Sequence, residues 1–240
     1  MNGPAPLSAE ECAAIVGAID HALLDPRLGA AELEAGCRMA LACGTASVCI
    51  VPWAVGLAAE ILAGSPVRPS TTIGFPHGSN ATAVKLAESA RALADGAVEL
   101  DVVVNQSWVR DGAWDAVRDE ILALVDATHA GGGRLKVIFE NCHLDDAAKR
   151  TLCGLCTDAG ADWVKTSTGF ASGGATEADV ALLRAACPPR VGVKASGGIR
   201  DLDTLLRLRA AGADRFGASR TREIVAEARR RAGLPPLPPA

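Results

Sequence analysis

A chain of 240 residues that is 49% hydrophobic and 22% charged has the composition of a folded globular protein, which excludes a disordered one. Its formal net charge of -4 supplies no basic face for a nucleic-acid backbone, so a small polar substrate is the better expectation. No run reaches the ~18 uncharged apolar residues of a membrane span, and the start MNGPAPLSAE lacks a basic region followed by an apolar one, so the expected location is the cytoplasm.

In chain order, residues 1–18 read as an N-terminal helix with its lead-in, and the first β-rich run follows from Ile19 to Leu23. The segment AELEAGCRMALACG carries apolar residues at helical spacing and ends on Gly, and Ser47 to Val51 is the next extended run. Thr71 to Phe75 precedes the helical ATAVKLAESARALADGA, and Glu99 to Val103 and Lys136 to Phe139 are the fourth and fifth runs. Trp163 to Thr166, Val191 to Ser196 and, after the helical DLDTLLRLRAAGA, Asp214 to Gly217 complete eight. Strands that alternate with helices are parallel βαβ units, and eight of them close a (β/α)8 TIM barrel over residues 19–232. An open doubly wound sheet uses the same alternation, but here no strand leads into G-x-G-x-x-G. No Ser/Gly linker divides the chain, which predicts a single domain, and the Pro-rich residues 233–240 form a surface tail because they cannot continue a helix.

The eight cysteines, without a secretion signal, read as reduced thiols. Cys153 and Cys156 form one C-x-x-C inside a helical pattern with no second pair, and Cys142-His143 is too little for a metal site, so neither indicates metal or redox chemistry. Cys49 reads as a core thiol, His77 and Asn80 as loop-structuring residues, and Trp53, Trp108, Trp114 and Trp163 as packing residues.

Strand alternation locates the chemistry, because every second side chain of a barrel strand points inward. In VELDVVV, apolar Val98, Leu100 and Val102 take the helix-facing side and turn Glu99 and Asp101 inward. In LKVIFE the same logic leaves Lys136, Ile138 and Glu140 inside, and Val164 and Thr166 direct Lys165 inward. Val191, Val193 and Ala195 do so for Lys194. Buried charge must be compensated, so such a cluster is either a structural ion network or a working site. Lys165 and Lys194 lie near the C-terminal ends of their strands, where barrel enzymes place their chemistry. Two neighbouring ammonium groups disfavour double protonation, and a neutral amine can form a carbinolamine and then an iminium ion with a carbonyl compound. Asp101 would serve the proton transfers, with Lys136 holding it ionised or orienting it. The loops STGFASGG, SGGIRD and GASR follow the last three strands, and their glycines let backbone N–H groups approach a phosphate.

These residues resemble the deoxyribose-phosphate aldolase family. The resemblance runs in order from Ile19-Asp20-His21 to Ser219 through SVCIVP, TIGFPHG, GAVELDVVVN, LKVIFE, GADWVKTSTGF, VGVKASGGIR and GADRFGAS, and VKTSTGF and VKASGGIR are its specific motifs. It implies a TIM barrel that cleaves 2-deoxy-D-ribose 5-phosphate reversibly to acetaldehyde and D-glyceraldehyde 3-phosphate, with no metal or organic cofactor. By position, Lys165 would be the Schiff-base nucleophile, Lys194 its pKa-lowering neighbour and Asp101 the proton-transfer partner. Thr168, Gly169, Gly197, Gly198 and Ser219 would hold the phosphorylated end of the substrate. Three departures stand out: Ala22 where the family commonly has Thr, Arg220 where a second serine often follows Ser219, and the absence of any Tyr for the C-terminal relay of some members. Arg220 is a candidate to replace the missing serine by pairing with phosphate. The partners expected are therefore the sugar phosphate and acetaldehyde, with no nucleic acid or membrane, and self-association into a homo-oligomer is left open. Another Schiff-base lyase on the same barrel, or a non-catalytic phosphate-ester binder, are the competing functions.

Overall fold

The computed structural model describes residues 5–237. Helix α1 (Ala9–Val16) opens on a capping box, in which the Ser8 hydroxyl accepts from the Glu11 N–H and the Glu11 carboxylate accepts from the Ser8 N–H. Then come β1 (Ile19–Leu23), α2 (Ala30–Cys43), β2 (Ser47–Ile50), α3 (Val55–Leu62), β3 (Arg68–Ile73), α4 (Thr82–Ala94) and β4 (Glu99–Val103). A short α5 (Gln106–Arg110) and the long α6 (Trp114–Ala130) lead to β5 (Arg134–Ile138), α7 (Asp146–Ala159), β6 (Trp163–Lys165) and α8 (Glu177–Ala186). The chain ends with β7 (Gly192–Ser196), α9 (Leu202–Ala210), β8 (Arg215–Ala218) and α10 (Thr221–Arg231).

All eight strands pair in parallel and in sequence order, and β8 returns to β1 with Ile19 opposite Phe216, so the sheet is a closed barrel. The apolar core lies between the barrel wall and the helices. Val48, Ile50, Leu100, Val102, Val137, Val164, Val193 and Phe216 project outward into it and are buried, as the alternation of their strands requires. Cys153 and Cys156 are buried on α7 in this layer. The two ends of the barrel sequence meet, since the Leu7 N–H donates to the Arg231 carbonyl at 3.1 Å.

Some boundaries differ from the sequence expectation. Strand β3 begins at Arg68 rather than Thr71, because Pro69 is accommodated by placing its carbonyl, which accepts from the Val98 N–H at 2.9 Å, in the ladder. It ends before Phe75, where Gly74 turns the backbone at φ 61°. Val98, expected on the helix side, precedes β4 and is exposed. Trp53 is also exposed, at 68%, rather than packed, because it lies in the 3-10 turn Pro52–Ala54 above the end of β2. In the Pro-rich tail Leu234 and Leu237 rest against the core while Pro235 and Pro236 are exposed; residues 238–240 of that tail, and 1–4 of the lead-in, lie outside the described residues. Among the described residues no helix is long and apolar enough to cross a membrane.

Candidate active site

The barrel register assembles the inward charges. Asp101 of β4 stands opposite Lys136 of β5, Lys165 of β6 opposite Lys194 of β7, and Lys194 opposite Arg215 of β8. Asp101 is the hub. Its Oδ2 accepts from Lys165 Nζ and from Lys194 Nζ, both at 2.7 Å, and its Oδ1 accepts from Lys136 Nζ at 2.8 Å. Beneath it, Lys136 pairs with Glu99 at 2.7 Å, and Arg215 pairs with Asp20 at 2.7 Å and Glu99 at 3.2 Å. Asp20 of β1 closes the ring by accepting from Lys194 at 2.5 Å. The indole of Trp163 floors the cluster, with the Arg215 guanidinium 4.8 Å from its ring centre and its Nε1 donating to Asp214 at 3.0 Å.

The electrostatics divide the lysines. Four buried cations, Lys136, Lys165, Lys194 and Arg215, face three buried carboxylates, Asp20, Glu99 and Asp101, and Glu99 is shared with the exposed Arg68 at 3.2 Å as well, so full protonation leaves positive charge in excess. Burial lowers the Lys165 amine below its ordinary pKa, and Lys194 pushes it the same way against the pull of Asp101. Lys194 moves oppositely: burial disfavours its charge, but Asp101 and Asp20 outweigh that and raise its pKa. Lys136 is raised for the same reason, its burial being offset by Asp101, Asp20 and Glu99. Burial alone would raise Asp101, yet Lys136, Lys165 and Lys194 hold it well below the usual carboxylate range. The surplus charge is therefore shed most readily at Lys165, whose one carboxylate partner among the described residues is Asp101, whereas Lys194 has Asp20 as well.

Above this cluster opens a cleft of about 730 Å³ on the C-terminal face. Thr168, Gly169, Gly197, Gly198 and Ser219 line it together with His21, Ala22 and Arg200. Gly169, Gly197 and Gly198 adopt φ of 85°, 83° and 80°, a conformation that side chains disfavour. A Cβ on Gly174 would fall 2.4 Å from the Gly197 carbonyl, so glycine is what lets the loops after β6 and β7 touch. The structure does not bring Arg220 into this group: β8 ends at Ala218, Ser219 is the last residue over the cleft, and Arg220 is the exposed N-cap of α10. Thr168 is brought in, but its hydroxyl donates to the Glu140 carboxylate and its N–H approaches the same group at 3.2 Å.

Asp20, Arg215 and Arg200 are charged residues of the site that the sequence reading did not assign, and Asp25 and Arg27, paired with each other at 2.7 Å, also line the cleft. In IDHAL, polar Asp20 and His21 are adjacent, so alternation alone does not say which faces inward, and Arg215 follows Asp214 at a strand start, where charge normally meets solvent. The ring closure between β1 and β8 decides both. Cys49 lies inside the barrel rather than in the helix-side core, and burial raises its thiol pKa, with Asp101 adding to the effect.

A model of the DeoC/LacD family of aldolases matches residues 14–227. The chain is similar to the deoxyribose-phosphate aldolase of Rhodopirellula baltica, with 52% identity over 219 residues and 91% of each chain covered. It is also similar to that of Rhodospirillum rubrum, with 51% identity over 222 residues, covering 92% of this chain and 91% of the relative. Among solved structures, the aldolase QR15 gives a TM-score of 0.86 at 38% identity, covering 90% of this chain and 96% of that one. The deoxyribose phosphate aldolase of Aeropyrum pernix, described as tetrameric, gives 0.82 at 33% identity, covering 90% and 91%.

Proposed function

The chain belongs to the DeoC/LacD family of aldolases, and from that premise we propose that it cleaves 2-deoxy-D-ribose 5-phosphate reversibly to acetaldehyde and D-glyceraldehyde 3-phosphate through a Schiff base on Lys165. The observation that carries the reading is the shared carboxylate oxygen: Asp101 Oδ2 lies 2.7 Å from both Lys165 and Lys194. Lys194 is held charged by its second partner, Asp20, which leaves Lys165 as the amine that loses its proton.

Neutral Lys165 Nζ attacks the substrate carbonyl carbon C1, and the carbinolamine loses water to give an iminium ion. A proton leaves the 3-hydroxyl, the C2–C3 bond breaks, and its electron pair flows into the iminium to form an enamine, releasing D-glyceraldehyde 3-phosphate. Protonation at C2 and hydrolysis then free acetaldehyde and restore the amine. Asp101 passes protons between Lys194, a water and the substrate hydroxyl, a role supported by its hydrogen bonds to both lysines. The 5-phosphate lies in the cleft over Gly169, Gly197, Gly198 and Ser219, with Arg200 supplying positive charge from the same loop as Gly198. Association with further copies of the chain belongs to the same reading; it is supported by the exposed indole of Trp53 and the tetrameric relative of Aeropyrum pernix.

The test is reductive trapping. Incubation with acetaldehyde followed by borohydride should add a single ethyl group at Lys165, located by mass spectrometry, and Lys165→Arg should abolish it because a guanidinium stays protonated. An adduct at Lys136 or Lys194 would overturn the assignment, and no adduct at all would favour a non-catalytic binder.

A further inference from the structure

Glu140 follows β5 and is the one non-glycine residue with positive φ among the described residues, at 57°. It is also a buried carboxylate. A side chain held in the left-handed region persists only where its surroundings impose it, and such residues cluster at functional sites. Here the surroundings are the catalytic strand itself. The Phe139 N–H donates to the Lys165 carbonyl at 2.9 Å and the Asn141 N–H to the Thr166 carbonyl at 2.8 Å. Between them, the Glu140 carboxylate reaches past the end of β6 to accept from the Thr168 hydroxyl and from the Thr168 N–H at 3.2 and 3.3 Å. The three consecutive residues thus fasten the backbone from Lys165 to Thr168.

The fastening continues into the cleft. With its proton committed to Glu140, the Thr168 oxygen accepts from the Phe170 N–H at 3.0 Å, which closes a turn around Gly169. Thr168 has then spent both of its donors on a carboxylate and has none left for an anion, whereas Gly169 is presented at the cleft wall. Glu140 itself does not line that cleft; it lies behind the loop, on a smaller cavity of about 280 Å³ bordered also by Gln106 and His143.

We propose that Glu140 is a positioning residue that sets the Thr168–Phe170 turn, and through it the enzyme's preference for a phosphorylated over an unphosphorylated substrate. This rests on the reading of the 730 Å³ cleft as the phosphate site. Charge-assisted hydrogen bonds from Thr168 hold the turn where the Gly169 N–H meets the phosphate. A neutral amide at position 140 offers one acceptor and a donor in place of two acceptors, so the turn loosens without any change beside Lys165.

Glu140→Gln should raise KM for deoxyribose 5-phosphate by about tenfold, the scale of one lost charge-assisted hydrogen bond, with kcat and borohydride trapping at Lys165 within about threefold. KM for unphosphorylated deoxyribose should stay within about twofold, since it presents no charge to the turn. Thr168→Val, which deletes the hydroxyl and keeps the shape, should reproduce the split, and the double variant should be no worse than either single one. A merely structural role would instead lower thermal stability and raise KM for both substrates alike. That outcome, or no change in KM for either, overturns the proposal, and if Glu140→Gln does not fold, Thr168→Val alone decides by the same criterion. Wild-type protein that neither cleaves deoxyribose 5-phosphate nor traps acetaldehyde would fail the functional reading instead, so the two failures are told apart.

Discussion

Lys194→Leu removes one of the two cations that share Asp101 Oδ2. Without it, the Asp101 carboxylate acts on Lys165 with less opposition, and the Lys165 pKa rises. Activity that needs the neutral amine then appears at higher pH: the ascending limb of the pH–rate profile should move up by about one unit or more, with activity at pH 7 down at least about tenfold. A profile of kcat/KM checks this, and an unmoved limb would break the coupling between the two lysines. At this scale the sequence was informative where apolar and charged residues alternate strictly. Asp101, Lys136, Lys165 and Lys194 were assigned their inward faces from their neighbours alone, and the structure places all four in one network. Asp20 and Arg215 were not legible, because their charge balance is settled only by strands 195 residues apart in sequence. Thr168 marks another limit: the family resemblance implied a phosphate ligand, and only the position of Glu140 reveals what its hydroxyl does.

Between elements, one tight constraint lies where β6 meets β7. Gly192 stands opposite Trp163, and a Cβ there would fall 2.1 Å from the indole and 2.9 Å from Asp214 Oδ1. Gly192→Ala must therefore displace the ring, strain its hydrogen bond to Asp214 and disturb the cation-binding floor under Arg215. Loss of about 1–3 kcal/mol is expected from such overpacking, measurable by urea unfolding; an unchanged midpoint would mean that the indole relocates freely. Strand identities were legible because each run is β-rich and bounded by turn residues. Helix ends were less so. Helices α4 and α9 stop at Ala94 and Ala210, before the glycines at 96 and 212 that were expected to end them, and the intervening residues form a further turn. Among the described residues, only α2 and α7 close on left-handed glycines, Gly44 and Gly160.

For the whole molecule, pH dependence of stability follows from two separate sets of groups. Burial lowers the His21 pKa from 6.5 to about 4. The unfolded chain therefore binds more protons between those values, and stability falls as pH drops from 6.5 to 4, by up to about 3 kcal/mol. His21→Gln should flatten that slope, as urea titrations at pH 7, 5.5 and 4 would record; a slope identical to wild type would exclude His21 as its source. Asp20 and Asp101 act lower. Although burial opposes their charge, Lys194, Lys136 and Arg215 depress the Asp20 pKa and Lys136, Lys165 and Lys194 that of Asp101, so their stabilisation is intact above 3.8 and is lost as pH falls below it.

The closure of β8 onto β1, together with the bond from Leu7 to Arg231, makes the order of units around the wall cyclic while the chain that builds it is linear. The backbone of each strand pairs only with its two neighbours, and Lys165 on β6 is enclosed by Asp101 two strands back and Lys194 one strand on. Contacts of that kind do not depend on which unit is synthesised first. A rotated sequence that starts at the exposed Asp111–Gly112 turn and bridges the old ends would specify the same ring, so what the gene must encode is a circular itinerary rather than a point of departure.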